Sequence, residues 1–149
     1  MKMEKININI INTSGNQSPK LETKGSAGAD LRAFLKDTIV IKPLERELIP
    51  TGIKIELPLG YEAQVRSRSG LALKNGIAVL NSPGTIDSDY RGDIGVILIN
   101  LSKNEFTVNN GARIAQIIIT KHEFPIFNET DKLKTSDRGE GGFGSTGKK

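Results

Sequence analysis

The chain has 149 residues, a formal net charge of +4 and no cysteine. This length favours a single domain, and without cysteine no disulfide can form, so packing or contacts between subunits must stabilise the fold. Lysine and arginine are scattered and aromatic residues are few, whereas a dedicated nucleic-acid-binding protein usually carries a basic stripe with aromatics between the charges. We therefore expect no nucleic-acid partner.

We expect no targeting signal in the N-terminal segment, MKMEKININIIN, because Asn7, Asn9 and Asn12 interrupt its apolar residues. No run in the chain reaches the roughly 20 apolar residues of a membrane span. We expect a protein with no membrane partner that lies in the cytoplasm, or in the nucleus if a eukaryote or a virus makes it. Within this segment KININII (5–11) alternates apolar and polar residues, which predicts a strand with one buried face.

Short β-rich runs continue along the chain, separated by turn residues at KPLERE, LPLGY, NSPGT and VNNGA. Further strands are predicted at TIVIK (38–42), GIKIEL (52–57), YEAQVRSR (61–68), IGVILINL (94–101) and ARIAQIIIT (112–120). The last two runs are nearly continuous in apolar residues, which is typical of central strands. Many short strands at this spacing predict an all-β sandwich, barrel or jelly roll.

Helical patterns are weak in this sequence. One helix of about two turns is predicted at SGLALKNG (69–76), with Ser69 as its N-cap and Gly76 as its end. The residues that lead into it include Arg66 and Arg68, and a helix N-terminus is a natural place for an anion. The alternative interpretation of this stretch is an exposed strand end that happens to carry two arginines.

The C-terminal stretch DRGEGGFGSTGKK (137–149) contains five glycines and little to bury. We expect a β domain over 1–137 and a flexible arm over 138–149, disordered unless a partner orders it. Phe143 would then attach the arm to a groove or cover a flat ligand. Residues 142–148 fit the start of a phosphate-loop motif, but the next position holds lysine instead of Ser or Thr and no helix follows, which excludes that fold.

The stretch GTIDSDYRG (84–92) places two acids, a tyrosine and an arginine between two glycines. One interpretation is a solvated turn, since Asp and Gly are common in turns. The other is a catalytic loop, in which Asp87 and Asp89 bind a metal or activate water. The two acids share a face if the segment is extended, whereas a turn would separate them. Asp30 in SAGADL is a third acid beside an apolar stretch.

His122 is the single histidine of the chain. Because there is only one histidine, a metal site built from several histidines is excluded, as is a Ser-His-Asp triad in its usual form. Its charged neighbours, Lys121 and Glu123, indicate the end of a surface strand, so no functional role is assigned to it.

Five segments resemble the ordered motifs of the trimeric dUTPase family: SAGADL (26–31), RSRSGLALKNGI (66–77), NSPGTIDSDYRGDIGVILIN (81–100), GARIAQ (111–116) and RGEGGFGSTG (138–147). They occur in the family's order and cover most of the chain. The resemblance implies a jelly-roll or β-clip fold and a homotrimer with active sites shared between subunits. It also implies Mg²⁺-dependent hydrolysis of dUTP to dUMP and pyrophosphate by attack of water at the α-phosphate. This reaction keeps uracil out of DNA and supplies dUMP for thymidylate synthesis.

The resemblance also implies a role for each residue that matches a motif. Asp87 matches the carboxylate that activates water, and Tyr90 the aromatic that packs on the deoxyribose. Asn81 and Gly84 belong to a hairpin that contacts uracil, largely through backbone groups. Arg68, Ser69 and Gly70 match residues that contact phosphate, and Gln116 matches one that binds water near the phosphates. Asp30 matches an acid that touches the water shell of a Mg²⁺ held mainly by the triphosphate. In the arm, Arg138 matches a γ-phosphate contact and Phe143 the residue that covers uracil, while Gly144, Ser145 and Thr146 complete the phosphate contacts.

One position departs from the family pattern: Ser67 stands where the second motif commonly has proline. Two other functions fit the sequence less well. A dCTP deaminase of similar fold needs a glutamate in the third-motif region, where this chain has only Asp87-Ser-Asp-Tyr. A dUTPase-like regulatory module that has lost catalysis would usually lack an acid, the tyrosine or the arm, and all three are present here.

Overall fold

The computed structural model of the protein describes residues 5–143. These residues form eleven strands and one helix: β1 Asn9–Asn12, β2 Ala29–Arg32, β3 Ile39–Ile41, β4 Arg46–Pro50, β5 Ile53–Glu56, β6 Tyr61–Arg66, α1 Ser69–Asn75, β7 Ile77–Val79, β8 Gly84–Ile86, β9 Gly95–Asn100, β10 Phe106–Val108 and β11 Arg113–Lys121. The all-β class predicted from the sequence is confirmed.

The strands form two larger sheets and two strand pairs. One sheet has the order β2-β11-β6-β8, the other β4-β9-β7, and the pairs are β1-β5 and β3-β10. Every pairing within residues 5–143 is antiparallel. Strands β9 and β11 lie between two neighbours each, so the prediction that the two long apolar runs are central strands is confirmed.

The core follows from the alternation of side chains along these strands. In β9, Val96, Leu98 and Asn100 face inward, and in β6 Ala63 and Val65 do so. The Asn100 amide is satisfied because it donates to the carbonyl oxygens of Ile41 and Asn104, both at 2.8 Å.

A register shift in β11 places two successive side chains in the core. The pairing of β11 with β2 shifts between Arg113 and Ala115, and Ile114 and Ala115 are both buried. Such a bulge adds a residue to one strand and re-aims the residues beside it. Beyond the bulge the regular alternation resumes, so that Gln116 faces away from the core.

Two local predictions are wrong. Alternation over 5–11 predicted one buried face, yet within the single chain Ile10 is 42% and Ile11 60% exposed, although Ile8 packs partly against the core. Ser69 is not the N-cap of α1. Arg68 occupies that position with extended backbone angles (φ −92°, ψ 127°), and Ser69 is the first helical residue. Gly76 does end the helix, at φ 65°.

The predicted hairpin around Asn81 is a crossover between sheets. β7 pairs with β9, whereas β8 pairs with β6, so the two strands that flank residues 80–83 do not pair with one another. The segment therefore carries the chain from one sheet to the other. The turn that carries Asp87 follows immediately, between β8 and β9.

The chain leaves the sheets after Lys121. Residues 122–140 contain no strand or helix and are exposed. Among them Phe124, Ile126, Phe127 and Leu133 are between 63% and 91% exposed. The boundary at 138 between domain and arm stays a prediction. In the described part of the chain, no helix is long and apolar enough to cross a membrane.

Candidate active site

A row of polar side chains crosses three strands of the larger sheet. Gln116 of β11 pairs with Asp30 of β2 on one side and with Arg66 of β6 on the other. Opposite residues of an antiparallel pair share a face, so these three side chains lie on the face away from the buried Leu31 and Val65. The first and second motifs thus meet at one edge of the core.

Asp30 accepts charge-assisted hydrogen bonds from two arginines. Arg68 Nε lies 2.9 Å from Asp30 Oδ1, and Arg113 Nη1 lies 3.3 Å from Oδ2. The side chains of Asp30 and Arg68 are 23% and 25% exposed, so part of each remains open to a ligand. One carboxylate beside two guanidinium groups leaves a local excess of positive charge, which suits an anion such as phosphate.

The Gln116 side chain lies in space that is free because residue 28 is a glycine. A Cβ added at Gly28 would collide with Gln116 Oε1 and lie 3.1 Å from its Cδ. The Gln116 Nε2 group donates to the carbonyl oxygen of Ser67 at 3.0 Å. In addition, the hydroxyl of Ser67 accepts the backbone N–H of Val79 at 2.8 Å, a contact that proline could not make at this position.

A cleft of about 200 Å³ opens between the end of β8 and the start of β9. It is lined by Thr85, Ile86, Asp87, Tyr90, Asp93, Ile94 and Gly95. The Tyr90 N–H donates to the Asp87 carbonyl at 3.2 Å and closes a turn over residues 88–89. This turn separates the two acids, because Asp87 lines the cleft whereas Asp89 does not.

Tyr90 is held across the same loop. Its hydroxyl donates to the Asp93 carbonyl at 3.0 Å, while the side chain remains 46% exposed. Its ring passes so close to Gly92 that a Cβ there would collide with the phenol oxygen. The ring is therefore both fixed and accessible, as a surface that packs on a ligand must be.

Asn81 and Gly84 lie at the other end of β8. Gly84 is buried and pairs with Val65, whereas Asn81 is exposed. A Cβ at Gly84 would lie 3.1 Å from Asn81 Nδ2, so the glycine leaves room for the asparagine amide. Ser69 and Gly70 are exposed at the start of α1.

The structure brings the predicted residues together as two separate groups. Ile86 pairs with Ala63, so Asp87 lies beside the N-terminal part of β6, while Arg68 follows its last residue, Arg66. Ala63 and Arg66 are roughly 10 Å apart at about 3.3 Å per residue, and Arg68 lies two residues farther. Within one chain, Asp87 and the arginines therefore lie at opposite ends of β6.

Two of the predicted arm residues lie in the described part of the chain. Arg138 and Phe143 are exposed, and Arg138 Nε donates to the carbonyl of Gly141 at 2.7 Å, within its own turn. The predictions for Gly144, Ser145 and Thr146 fall outside the described residues.

The acidic side chains fit a magnesium ion only if waters and a bound ligand supply the remaining donors. Within residues 5–143 no three acidic or histidine side chains converge. Mg²⁺ typically binds through one or two carboxylates, several waters and substrate phosphates. Asp30 keeps lone pairs beyond those used by its arginines, and Asp87 lines an open cleft.

Three residues of these groups were missed by sequence reasoning. Arg113 lies in the motif-like segment GARIAQ (111–116), but its contact with Asp30 depends on the bulge in β11. Gly28 and Gly92 act by leaving space for Gln116 and Tyr90. Their motif positions were a signal, but their effect is visible only once the opposing side chain is placed.

The sequence is similar to those of known proteins over nearly its whole length. The family model described as dUTPase matches residues 15–147. The deoxyuridine 5'-triphosphate nucleotidohydrolase of Fusobacterium nucleatum subsp. nucleatum is 51% identical over 146 residues, covering 98% of this chain and 100% of that protein. The protein of the same name from Cytophaga hutchinsonii is 55% identical over 141 residues, covering 95% and 92%.

The fold is also shared with solved structures. The dUTPase of Staphylococcus bacteriophage 80alpha, solved with dUPNHPP, matches with a TM-score of 0.85 at 26% identity, covering 95% of this chain and 98% of that chain. The predicted jelly-roll or β-clip architecture is thereby confirmed. Since both the family model and the curated relatives span nearly the whole chain, the protein belongs to the dUTPase family.

Proposed function

We propose that this protein hydrolyses dUTP to dUMP and pyrophosphate in the presence of Mg²⁺. The observation that carries the proposal is the cleft in which the carboxylate of Asp87 and the fixed ring of Tyr90 are both accessible. Family membership supplies the reaction and the substrate class. Location in the cytoplasm stays a prediction.

The chemistry of each group supports a division of roles. Asp87 would take a proton from the attacking water, because a carboxylate within reach of water can act as a general base. Arg68, oriented by Asp30, would contact phosphate oxygens and offset their charge. Mg²⁺, when bound, would neutralise further charge on the triphosphate. We propose that the side-chain amide of Gln116 binds a water molecule near the phosphates.

Release of pyrophosphate from dUTP, dCTP, TTP and UTP tests this function. We expect turnover of dUTP well above that of the other three nucleotides, and loss of turnover when a chelator removes Mg²⁺. Preference for dCTP with release of ammonia would indicate a deaminase instead. Tight binding of dUTP without pyrophosphate release would indicate a regulatory module that has lost catalysis.

We further propose a homotrimer in which neighbouring chains complete each site. Asp87 and Arg68 lie at opposite ends of β6 within one chain, so a site that needs both requires a second copy. The exposed apolar side chains of Phe124, Ile126 and Phe127 also favour a partner surface, since clustered exposed apolar groups often mark contacts. The arm, with Arg138 and Phe143, would close over a site on another chain.

Replacing Tyr90 by Ala should relax discrimination between deoxyribose and ribose more than discrimination between bases. In the proposed complex the ring occupies the space of a ribose 2′-hydroxyl. A buried hydroxyl without a partner costs about 1–3 kcal/mol, so removing the ring should raise UTP turnover relative to dUTP by roughly 5- to 150-fold. The measurement is the ratio of kcat/KM for the two nucleotides.

Tyr61 provides the control, because it is the other tyrosine of the chain and does not line the cleft. Tyr61→Ala should leave the ratio of UTP to dUTP turnover unchanged. If the ratio stays constant in Tyr90→Ala as well, Tyr90 is not the residue that discriminates the sugar.

A further inference from the structure

The backbone N–H of Val79 needs an acceptor outside its own sheet. Val79 lies in β7, whose single neighbour in the described sheet is β9, and the next N–H, of Leu80, donates to the Ile97 carbonyl of that strand at 2.9 Å. Because successive N–H groups of a strand point to opposite sides, the Val79 N–H points away from β9. Val79 is 4% exposed, and a buried N–H without a partner is strongly disfavoured.

The hydroxyl of Ser67 is that acceptor, at 2.8 Å. Ser67 follows Arg66, the last residue of β6, so it has left the regular pairing of the sheet. Its carbonyl is held as well, because Gln116 Nε2 donates to it at 3.0 Å. Two side-chain hydrogen bonds therefore fix one residue from two directions, one from each of the two larger sheets.

The peptide bond fixed in this way is the one that enters Arg68. The carbonyl of Ser67 and the N–H of Arg68 belong to the same planar unit, so fixing the carbonyl sets the direction in which Arg68 leaves the strand. Arg68 is extended at the N-cap of α1, and its guanidinium then reaches Asp30 at 2.9 Å and the Arg113 carbonyl at 3.3 Å.

We propose that Ser67 is a positioning residue for the phosphate-binding arginine. Its hydroxyl and carbonyl, bound by Val79 and Gln116, hold the Ser67–Arg68 peptide so that Arg68 faces the substrate phosphates. This inference rests on the proposed function, because that function makes the ligand of Arg68 a nucleoside triphosphate. Ser67 itself does not touch the substrate, and Gly28 acts with it by leaving space for Gln116.

The test uses Ser67→Ala, which removes the hydroxyl, and Ser67→Thr, which keeps it. Without nucleotide, amide hydrogen exchange at Val79 should be faster in Ser67→Ala than in wild type and restored in Ser67→Thr. The affinity for dUPNHPP should fall by roughly 3- to 10-fold in Ser67→Ala, the effect of one hydrogen bond. The affinity for deoxyuridine, which has no phosphate, should remain unchanged.

A second variant and a control separate positioning from stability. Gly28→Ala displaces Gln116 from the Ser67 carbonyl and should give the same selective loss for dUPNHPP. Ser14 is the matched control, since its hydroxyl also accepts a backbone N–H, that of Asn16 at 3.0 Å, in a different loop. Ser14→Ala should affect the melting temperature only, with both affinities unchanged.

The inference is overturned if Val79 exchange is the same in Ser67→Ala and wild type. It is also overturned if dUPNHPP and deoxyuridine lose affinity together, or if neither does, because Ser67 would then be a purely structural residue. Failure of the proposed function is distinct: it would appear as absent dUTP turnover by the wild-type protein. The exchange measurement needs no nucleotide, so it tests the hydrogen bond between Ser67 and Val79 whether or not the proposed function holds.

Discussion

Replacing Asp87 by Asn should lower dUTP turnover roughly 10²- to 10⁴-fold, the usual effect of losing a general base. Asparagine can still hydrogen-bond the attacking water but cannot take its proton. Asp87 is exposed at the cleft and does not contribute to the core, so the melting temperature and the affinity for dUPNHPP should remain close to those of wild type. Steady-state kinetics, thermal unfolding and titration with dUPNHPP measure the three quantities.

Asp89 offers a control of the same chemistry two residues away. It lies in the turn, outside the lining of the cleft, so Asp89→Asn should retain most of the turnover. Full turnover by Asp87→Asn would contradict the assignment, and Asp89 would become the next candidate for the base.

Removing the residues after Asp137 should decrease dUTP turnover by about 100-fold or more, the effect of losing a preorganised contact to the reacting charge. The truncation removes Arg138 and Phe143, which are exposed in the single chain. Neither residue packs in the described core, so the free energy of unfolding should change little. Turnover and thermal unfolding of the truncated chain are the two measurements.

The truncated chain and the Asp87→Asn chain should restore activity to one another when they are refolded together. A mixed trimer can form a site that takes Asp87 from the truncated chain and the arm from the Asp87→Asn chain. Light scattering should show three chains per particle, and exchange between differently labelled subunits should accompany the recovery of turnover.

Refolding each inactive chain alone is the control for this experiment, and neither should regain turnover. If subunit exchange is demonstrated and the mixture remains as inactive as its parents, then Asp87 and the arm of a site come from one chain. A monomer with full activity would contradict shared sites altogether.

Long apolar patterns predicted the strands that matter most to the core. The runs at 94–101 and 112–120 became β9 and β11, each of which has a neighbour on both sides and buries part of its side chains in the core. The three-residue strands β7 and β8 were not predicted, since so few residues show little period. The strands that pair with β7 and β8 lie in other parts of the chain. For this reason the sequence predicted a hairpin near Asn81, where the structure has a crossover.

The candidate site was predictable to the extent that its residues are neighbours in sequence. Asp87 and Tyr90 lie three residues apart and share a cleft. The contact between Asp30 and Arg113 joins residues from β2 and β11 across a shifted register, and nothing local in either stretch indicates that shift. The same holds for Ser67, whose departure from the family pattern was visible but whose acceptor role toward Val79 required the relative placement of two sheets.

The close approach of Tyr90 to Gly92 has a consequence for how this loop can evolve. A lineage that keeps the tyrosine cannot gain a side chain at position 92 without displacing the ring, so we expect the two positions to vary together. Only after the aromatic is lost does position 92 become free to vary. The proposed discrimination of the sugar therefore depends on a residue that has no side chain, and we expect Gly92→Ala, a single-nucleotide change, to weaken it by displacing the Tyr90 ring.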